Sequence, residues 1–231
     1  MCRHLAWFGA PRSVASLVLE PGHGLLTQSW APRRQAHGTV NADGWGVGLH
    51  PDGGGAAARW RSDKPMWSDT NLASMAPHLV AGRVIAAVRS ATEGMPADAT
   101  AAAPFLHDGW LVSHNGRVDR DAVGPSLAAE SACDAALLAA RVVAAGPRRV
   151  GATLHEVAAA DPDSRLNLLL LSGDELLATR WGDTLFLRRD TDGVLVASEP
   201  DDAEGWEEVP DRHLVTVTAS GVRIEALLAT S

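Results

Sequence analysis

The chain of 231 residues is poor in the side chains that metal and nucleic-acid sites require. It has two cysteines, Cys2 and Cys133, which are too few for a thiolate zinc site, and its nine histidines include no His-Glu-x-x-His motif. We therefore expect neither a metal nor another cofactor. The formal net charge of -8 suggests no basic face for phosphate groups, so we expect no nucleic-acid partner.

Long apolar runs are also missing. No segment approaches the roughly 20 apolar residues that span a bilayer, and the N-terminus lacks the apolar core of a signal peptide. We expect no membrane partner and a cytoplasmic location, where Cys2 stays reduced. The hydrophobic fraction of 46% and the charged fraction of 21% are typical of a globular protein, and we expect a single domain over residues 1–231.

The order of apolar segments and turn signals predicts an α+β fold. Strands are predicted at 2–8 and 84–89, a hairpin is predicted from the strands at 44–50 and 57–61, and a strand pair is predicted over 104–114 around Asp108-Gly109. Helices are predicted at 69–79, 131–145 and 150–160, and the polar stretch 31–42 is predicted to be a long loop. From residue 165 onwards, short strands separated by Gly-Asp or Asp-Gly turns predict a β-meander. Strands, two helices and strands again suit two antiparallel sheets with helices outside them.

The first two residues, Met1-Cys2, combine two reactive groups if Met1 is removed. The small Cys2 side chain favours this removal, and the mature chain would then begin with a thiol and a free α-amine on one residue. An α-amine titrates near pH ~8 and a thiol near ~8.5, so the amine can accept the thiol proton at neutral pH. Cys2 could equally be an ordinary small residue that enters the first strand.

Asn115-Gly116 follows a predicted strand and has two interpretations. Asn-Gly is a strong hairpin signal, which would make it a turn. The residues after it do not resume a clean alternation of apolar and polar side chains. The alternative is that the Asn115 amide and the Gly116 backbone N–H point at a developing oxyanion, as acyl transfer requires.

Two charged residues at element ends could bind a zwitterion. Arg89 ends an apolar strand and is followed by a Thr-Glu-Gly turn, where it could sit on the surface or bind a carboxylate through its planar fork. Asp134 lies at the start of the most apolar helix, where it could simply complement the helix dipole or bind an ammonium group. The neighbouring Cys133 is expected to be a core thiol.

These motifs form an ordered set that resembles a known family. The set consists of Met1-Cys2, Asp43-Gly44-Trp45-Gly46, Arg89 with Thr92, Asn115-Gly116 and Asp134. Its order and rough spacing resemble the class II glutamine amidotransferases, which are N-terminal-nucleophile hydrolases. The resemblance covers about residues 2–145. It implies a four-layer αββα sandwich of two antiparallel sheets, and the strands after residue 165 fit the rest of that sandwich.

The resemblance also implies a role for each matching residue. Cys2 would be the nucleophile and its own α-amine the base, while Asn115 and Gly116 would form the oxyanion hole. Three residues would bind the α-carboxylate and α-amine of a glutamyl group: Arg89, Thr92 and Asp134. The sequence departs from the family pattern at Ala87, where a histidine is frequent, and at Cys133, where a serine usually precedes the aspartate.

The resemblance further implies the kind of reaction. All 231 residues fit the glutaminase-like fold, so either a separate synthase uses the ammonia or the enzyme is a plain γ-glutamyl amidohydrolase that acts through a cysteine thioester. The start Cys-Arg-His-Leu-Ala-Trp-Phe-Gly and the run Asn-Ala-Asp-Gly-Trp-Gly-Val-Gly look most like stand-alone members in ergothioneine biosynthesis. Those members remove glutamate from γ-glutamyl-hercynylcysteine sulfoxide. The expected partner is this small γ-glutamyl substrate, with no obligate protein partner.

Two other functions stay open. A glutaminase subunit that delivers ammonia to a synthase predicts an apolar docking patch and poor activity alone. A binding or scaffold protein that kept the fold predicts a retained Met1 and no acyl-enzyme. The expected leaving group carries a trimethylammonium, which aromatic faces bind well. We therefore expect a carboxylate or one or two of five tryptophans to contact it: Trp7, Trp30, Trp45, Trp60 and Trp67.

Overall fold

The computed structural model describes residues 2–92 and 94–227. Within them the strands, in chain order, are Arg3–Ser13 (β1), Trp45–His50 (β2), Ala58–Ser62 (β3), Val80–Val88 (β4), Phe105–His107 (β5), Trp110–Arg117 (β6), Arg165–Leu171 (β7), Glu175–Arg180 (β8), Phe186–Asp190 (β9), Gly193–Ala197 (β10), Trp206–Glu208 (β11), His213–Thr218 (β12) and Gly221–Ala226 (β13). The α-helices are Val14–Val18 (α1), Leu25–Gln28 (α2), Thr70–Met75 (α3), Arg120–Val123 (α4), Asp134–Ala145 (α5) and Val150–Ala160 (α6).

The strands form two antiparallel sheets, which confirms the predicted fold class. The seven-stranded sheet has the order β11-β9-β10-β1-β4-β2-β3, and the six-stranded sheet has the order β13-β12-β8-β7-β6-β5. One apolar cluster joins residues of both sheets, including Phe8, Ile85 and Leu169. A second lies between the seven-stranded sheet and α1–α3, and a third lies between the six-stranded sheet and α5 and α6. Three apolar layers therefore separate four layers of secondary structure.

Strand β1 carries the N-terminus into the centre of its sheet. Leu5 pairs with Ala86 of β4 on one side and with Ala197 of β10 on the other. The strand is longer than predicted because a register shift between Phe8 and Arg12 carries it past the Gly-Ala-Pro sequence. Gly9 permits this path, since a Cβ there would lie 2.4 Å from the Asp192 carbonyl oxygen.

The prediction of a C-terminal meander is wrong. Strands β7 and β8 belong to the six-stranded sheet, β9–β11 cross to the seven-stranded sheet, and β12 and β13 return. The first crossing is organised by Asn167, whose side chain binds the backbone N–H of Trp181 and the carbonyls of Asp183 and Thr184. A hydrogen bond between a side chain and backbone groups about 15 residues further along the chain leaves no signal in the local turn pattern. The turn pattern by itself predicts hairpins only.

The helices agree with the predictions in type and differ at their ends. Helix α6 has the predicted bounds, and α3 begins after its predicted N-cap Asp69, whose side chain accepts the Asn71 backbone N–H. Helix α5 begins three residues later than predicted because Cys133 is extended, with φ -74° and ψ 152°. The stretch 31–42 is a loop, as predicted. Among the residues described, no helix has the length and apolarity needed to cross a membrane.

Candidate active site

The ends of β1, β4 and β6 meet the first turn of α5 at a cavity. Five of the six predicted site residues line it, namely Cys2, Arg89, Thr92, Gly116 and Asp134, whereas Asn115 is not among the lining residues. The structure thus brings together residues that are up to 132 positions apart, since Cys2 and Asp134 line the same cavity.

Cys2 is held by its backbone at the start of β1. Its backbone nitrogen donates to Asn115 Oδ1 at 3.1 Å, and its carbonyl accepts from Arg3 Nε at 2.9 Å. The side chain is partly exposed to the cavity. The next residue already pairs with Val88 of β4, so the sheet fixes the position of the cysteine.

Asn115 lies within strand β6, and the hairpin interpretation of Asn115-Gly116 is wrong. Asn115 pairs with Asn167, and Gly116 pairs with Leu166, both on β7. Asn115 is fully buried, and its Nδ2 has no hydrogen-bond partner within residues 2–92 and 94–227. A buried donor without a partner costs about 1–3 kcal/mol. The bond from Cys2 to Oδ1 leaves this amide N–H group free for an acceptor that enters the site.

Gly116 allows β7 and a histidine ring to approach the strand very closely. A Cβ at this position would lie 2.0 Å from the Arg165 carbonyl oxygen and 2.8 Å from His114 Nε2. No side chain fits between these atoms without a shift of the backbone. Position 116 therefore requires glycine, because the Arg165 carbonyl and the His114 ring lie so close to the backbone beside the cavity.

Arg89 is fixed immediately after β4. Its backbone N–H and carbonyl bond to Gly44 and Asp43, and its guanidinium donates to the Pro96 carbonyl at 2.8 Å. Asp43 Oδ2 also accepts the Ala91 backbone N–H at 2.7 Å. The Asp-Gly-Trp-Gly motif thus fixes the segment that leads from Arg89 to Thr92 along the cavity.

Asp134 is the first residue of α5 and is 8% exposed. Its Oδ2 accepts the Val118 backbone N–H at 3.2 Å, which orients the carboxylate. Cys133 is 2% exposed and packs in the apolar cluster under α5, so the expectation of a core thiol is confirmed, although it also lines the cavity. Burial raises the pKa of the Cys133 thiol and keeps it neutral.

Sequence reasoning missed several residues around the cavity. Met95 and Phe105 line its wall, and so does His114, which bonds through Nε2 to the Arg165 carbonyl at 2.8 Å. Behind it, His4 Nδ1 lies 3.0 Å from Ser113 Oγ, and burial lowers the pKa of His4 well below its usual value. A polar pair in an otherwise apolar strand is the signal that could have identified His114.

Of the five tryptophans named as candidates for the leaving group, Trp45 lines the cavity, and Trp7, Trp30, Trp60 and Trp67 are not among its lining residues. Trp45 also packs in the cluster on the other face of the seven-stranded sheet, and Trp7 is fully buried in that cluster. Trp30 and Trp67 form an edge-to-face pair, each 43% exposed. The described residues contain no group of three or more His, Cys, Asp or Glu side chains that could bind a metal ion.

Comparisons with known proteins identify relatives of the chain over almost its full length. The chain is 55% identical over 228 residues to a γ-glutamyl-hercynylcysteine sulfoxide hydrolase of Mycolicibacterium smegmatis, covering 98% of this chain and 100% of the relative. It is 54% identical to a hydrolase of the same name from Mycobacterium tuberculosis H37Rv, covering 98% of this chain and 97% of the relative.

Two solved structures share the fold at low sequence identity. A glutamine aminotransferase class-II domain protein from Silicibacter pomeroyi has a TM-score of 0.70 at 21% identity, over 98% of this chain and 100% of its own. The glutamine phosphoribosylpyrophosphate amidotransferase of B. subtilis has a TM-score of 0.73 at 13% identity, over 100% of this chain and 50% of its own. Residues 24–192 match the family described as glutamine amidotransferases class-II. By this match and by its relatives, the chain belongs to the class II glutamine amidotransferases.

Proposed function

We propose that the protein is a γ-glutamyl amidohydrolase whose mature chain begins at Cys2. The observation that carries the proposal is the bond between the Cys2 nitrogen and Asn115 Oδ1, at a cavity that Arg89 and Asp134 also line. Once Met1 is removed, this nitrogen is an α-amine beside the thiol of the same residue. Nucleophile, base and a free oxyanion donor then lie together.

The reaction proceeds through two acyl-transfer steps. The α-amine takes the thiol proton, Sγ attacks the γ-carbonyl carbon, and the oxyanion accepts hydrogen bonds from Asn115 Nδ2 and the Gly116 N–H. The C–N bond breaks as the α-ammonium returns its proton to the leaving amine, which leaves a glutamyl thioester on Cys2. Water then attacks the thioester with the amine as base, and glutamate and the free thiol are released.

The glutamyl head group binds between opposite charges. Arg89 forms a bidentate pair with the α-carboxylate, and Asp134 accepts from the α-ammonium, assisted by Thr92. Arg89 is 7% exposed and already donates to the Pro96 carbonyl, so its fork is preorganised. The compact ammonium group of a lysine at this position could not reproduce the two parallel N–H···O bonds of the guanidinium.

We therefore expect Arg89→Lys to raise KM for the γ-glutamyl substrate by at least about tenfold, although the charge is kept. Steady-state kinetics and inhibition by free glutamate measure this loss. Arg83→Lys is a matched control, since Arg83 stacks on Phe8 of the neighbouring strand and does not line the cavity. Unchanged glutamate inhibition in both Arg89→Lys and Asp134→Asn would contradict the assignment of the head-group site.

The proposed substrate is γ-glutamyl-hercynylcysteine sulfoxide, in ergothioneine biosynthesis. It is supported by the relatives of that activity, which are 54–55% identical over almost the whole chain. An enzyme that spares glutamine must use the binding of the large leaving group to align the thiol and the carbonyl. We propose that the protein acts in the cytoplasm and without an obligate protein partner.

The test compares kcat/KM for γ-glutamyl-hercynylcysteine sulfoxide, γ-glutamylalanine and glutamine on the purified chain. We expect the sulfoxide to exceed glutamine by at least about a hundredfold, the scale of discrimination that pocket contacts reach. Equal values for glutamine and the sulfoxide would overturn the substrate assignment in favour of a glutaminase subunit. No release of glutamate from any of the three substrates would point to a binding protein.

A further inference from the structure

A buried carboxylate outside the cavity connects the start of the loop 31–42 to the rest of the molecule. Glu199 is 1% exposed and lies 2.6 Å from His23 Nε2. It also accepts the backbone N–H groups of Arg33 at 2.5 Å and Arg34 at 2.9 Å. The charge is thus surrounded by donors from two segments of the chain, as a buried carboxylate requires.

The same carboxylate faces the residue that binds Cys2. Arg3 is fully buried, its NH1 lies 3.8 Å from Glu199 Oε2, and its Nε donates to the Cys2 carbonyl at 2.9 Å. Burial lowers the pKa of Arg3, while the charges of Glu199, Asp183 and Cys2 raise it. An arginine keeps its charge at any pH at which the protein is folded. A permanent buried cation therefore lies one residue from the thiol.

A second carboxylate whose charge raises the pKa of Arg3 is that of Asp183, which is connected to Asn115 through Asn167. Asp183 is 6% exposed and lies 3.3 Å from Arg165 Nε. Its backbone is fixed by Asn167, the residue that pairs with Asn115 across the sheet. The charges of Glu199 and Asp183 thus both stabilise the Arg3 cation, and Arg3 in turn bonds to the Cys2 carbonyl.

We propose that Glu199 is a positioning residue for the N-terminal nucleophile, which it serves by balancing the charge of Arg3 and by fixing the start of the loop 31–42. This inference rests on the proposed function, because it concerns the α-amine and thiol of Cys2. Glu199 itself does not line the cavity. It acts through Arg3 on one side and through the Arg33 and Arg34 amides on the other.

The sign of the electrostatic effect follows from the charges present. Besides Arg3 on β1, which bonds to the Cys2 carbonyl, the charged or titratable groups that line the cavity with Cys2 are Arg89 after β4, His114 on β6, Cys133 before α5 and Asp134 on α5, with His4 behind them. The carboxylates whose charges raise the pKa of Arg3 include Glu199 and Asp183. Removal of the Glu199 charge leaves Arg3 less compensated, and a stronger positive field disfavours the α-ammonium and favours the thiolate. The pKa values of both groups at Cys2 must then decrease.

The experiment compares Glu199→Gln with Glu199→Asp. The glutamine variant keeps a side-chain oxygen that can accept from His23 and from the Arg33 backbone N–H, but it loses the negative charge. The aspartate variant keeps the charge, but its shorter side chain places the carboxylate further from the backbone N–H groups of Arg33 and Arg34. Asp202→Asn is the matched control, because Asp202 pairs with the exposed side chain of Arg33 and not with the buried cluster. Two profiles against pH are measured: kcat/KM for γ-glutamyl-hercynylcysteine sulfoxide, and the rate of Cys2 alkylation by iodoacetamide, followed by peptide mass.

We expect Glu199→Gln to move the acid limb of both profiles to lower pH by roughly 0.5 to 1 unit and to decrease kcat about two- to threefold, since a weaker base is a poorer catalyst. Glu199→Asp should decrease kcat with no shift of the limb, and Asp202→Asn should match the wild type. Profiles of Glu199→Gln that coincide with those of the wild type would overturn the inference.

Two further measurements keep the test decisive. If circular dichroism shows that Glu199→Gln does not fold, Asp183→Asn removes the other charge facing Arg3 and must shift the limb in the same direction. Coincidence of that variant with the wild type overturns the inference. Failure of the proposed function is a separate result, in which the wild type releases no glutamate from any γ-glutamyl substrate. The alkylation profile then still decides whether Glu199 influences Cys2.

Discussion

Cys2→Ala is expected to fold like the wild type and to lose activity by more than about a thousandfold. The thiol is the group to which the glutamyl unit becomes attached, and loss of a nucleophile usually costs at least this much. Cys2 is partly exposed and precedes β1, so its side chain contributes little to the core. Stopped assays of glutamate release measure the loss, and thermal unfolding checks the fold.

Cys133→Ala is the matched control, because it removes the chain's other thiol from the core and leaves the nucleophile in place. It should keep the release of glutamate that Cys2→Ala lacks. The intact mass of the active wild type should correspond to a chain without Met1. Full activity of a chain that retains Met1, or a glutamyl adduct on Cys2→Ala, would contradict the proposed mechanism.

Asn115→Ala is expected to decrease kcat by roughly a hundred- to a thousandfold with little change in KM. The reason is that Asn115 Nδ2 has no partner among the described residues and is free for the oxyanion, which exists only along the reaction path. A donor used mainly in the transition state lowers kcat when it is lost and leaves substrate binding nearly intact.

Asn115→Asp separates the two contacts of this side chain. Aspartate keeps an oxygen for the Cys2 nitrogen and loses the Nδ2 donor, so it should be as inactive as alanine. If Asn115→Asp keeps most of the activity, the amide is important for its contact with Cys2 and not for an oxyanion. A variant affected chiefly in KM would instead place Asn115 in substrate binding.

The sequence was most informative where a structural requirement is local. The β2–β3 hairpin and the bounds of α6 follow from neighbouring residues, and both were predicted. The partners of the C-terminal strands could not be predicted in this way, because the crossing at Trp181 to Thr184 depends on Asn167. The local sequence of Asn167, Leu-Asn-Leu, is that of an ordinary strand.

The same distinction applies to the candidate site. Residues that project into the cavity from element ends, such as Arg89 and Asp134, carried a recognisable pattern and were placed together by the structure. Glu199 carried none, because its partners come from positions 3, 23, 33 and 34. A carboxylate after a short strand looks like a surface residue until the fold surrounds it. Supporting residues of this kind can only be identified in three dimensions.

The central position of β1 has a consequence for the order of events during synthesis. Leu5 pairs with Ala197 in the finished sheet, and Ala197 is the 192nd residue after it. At about 5–20 residues per second, a ribosome takes roughly 10 to 40 s to synthesise this stretch. During that interval β1 lacks the strand that encloses it on one side, so an aminopeptidase can reach the emerging N-terminus. Cys2 would then be exposed as the first residue before the sheet closes around it, and the enzyme would become active only when translation is nearly complete.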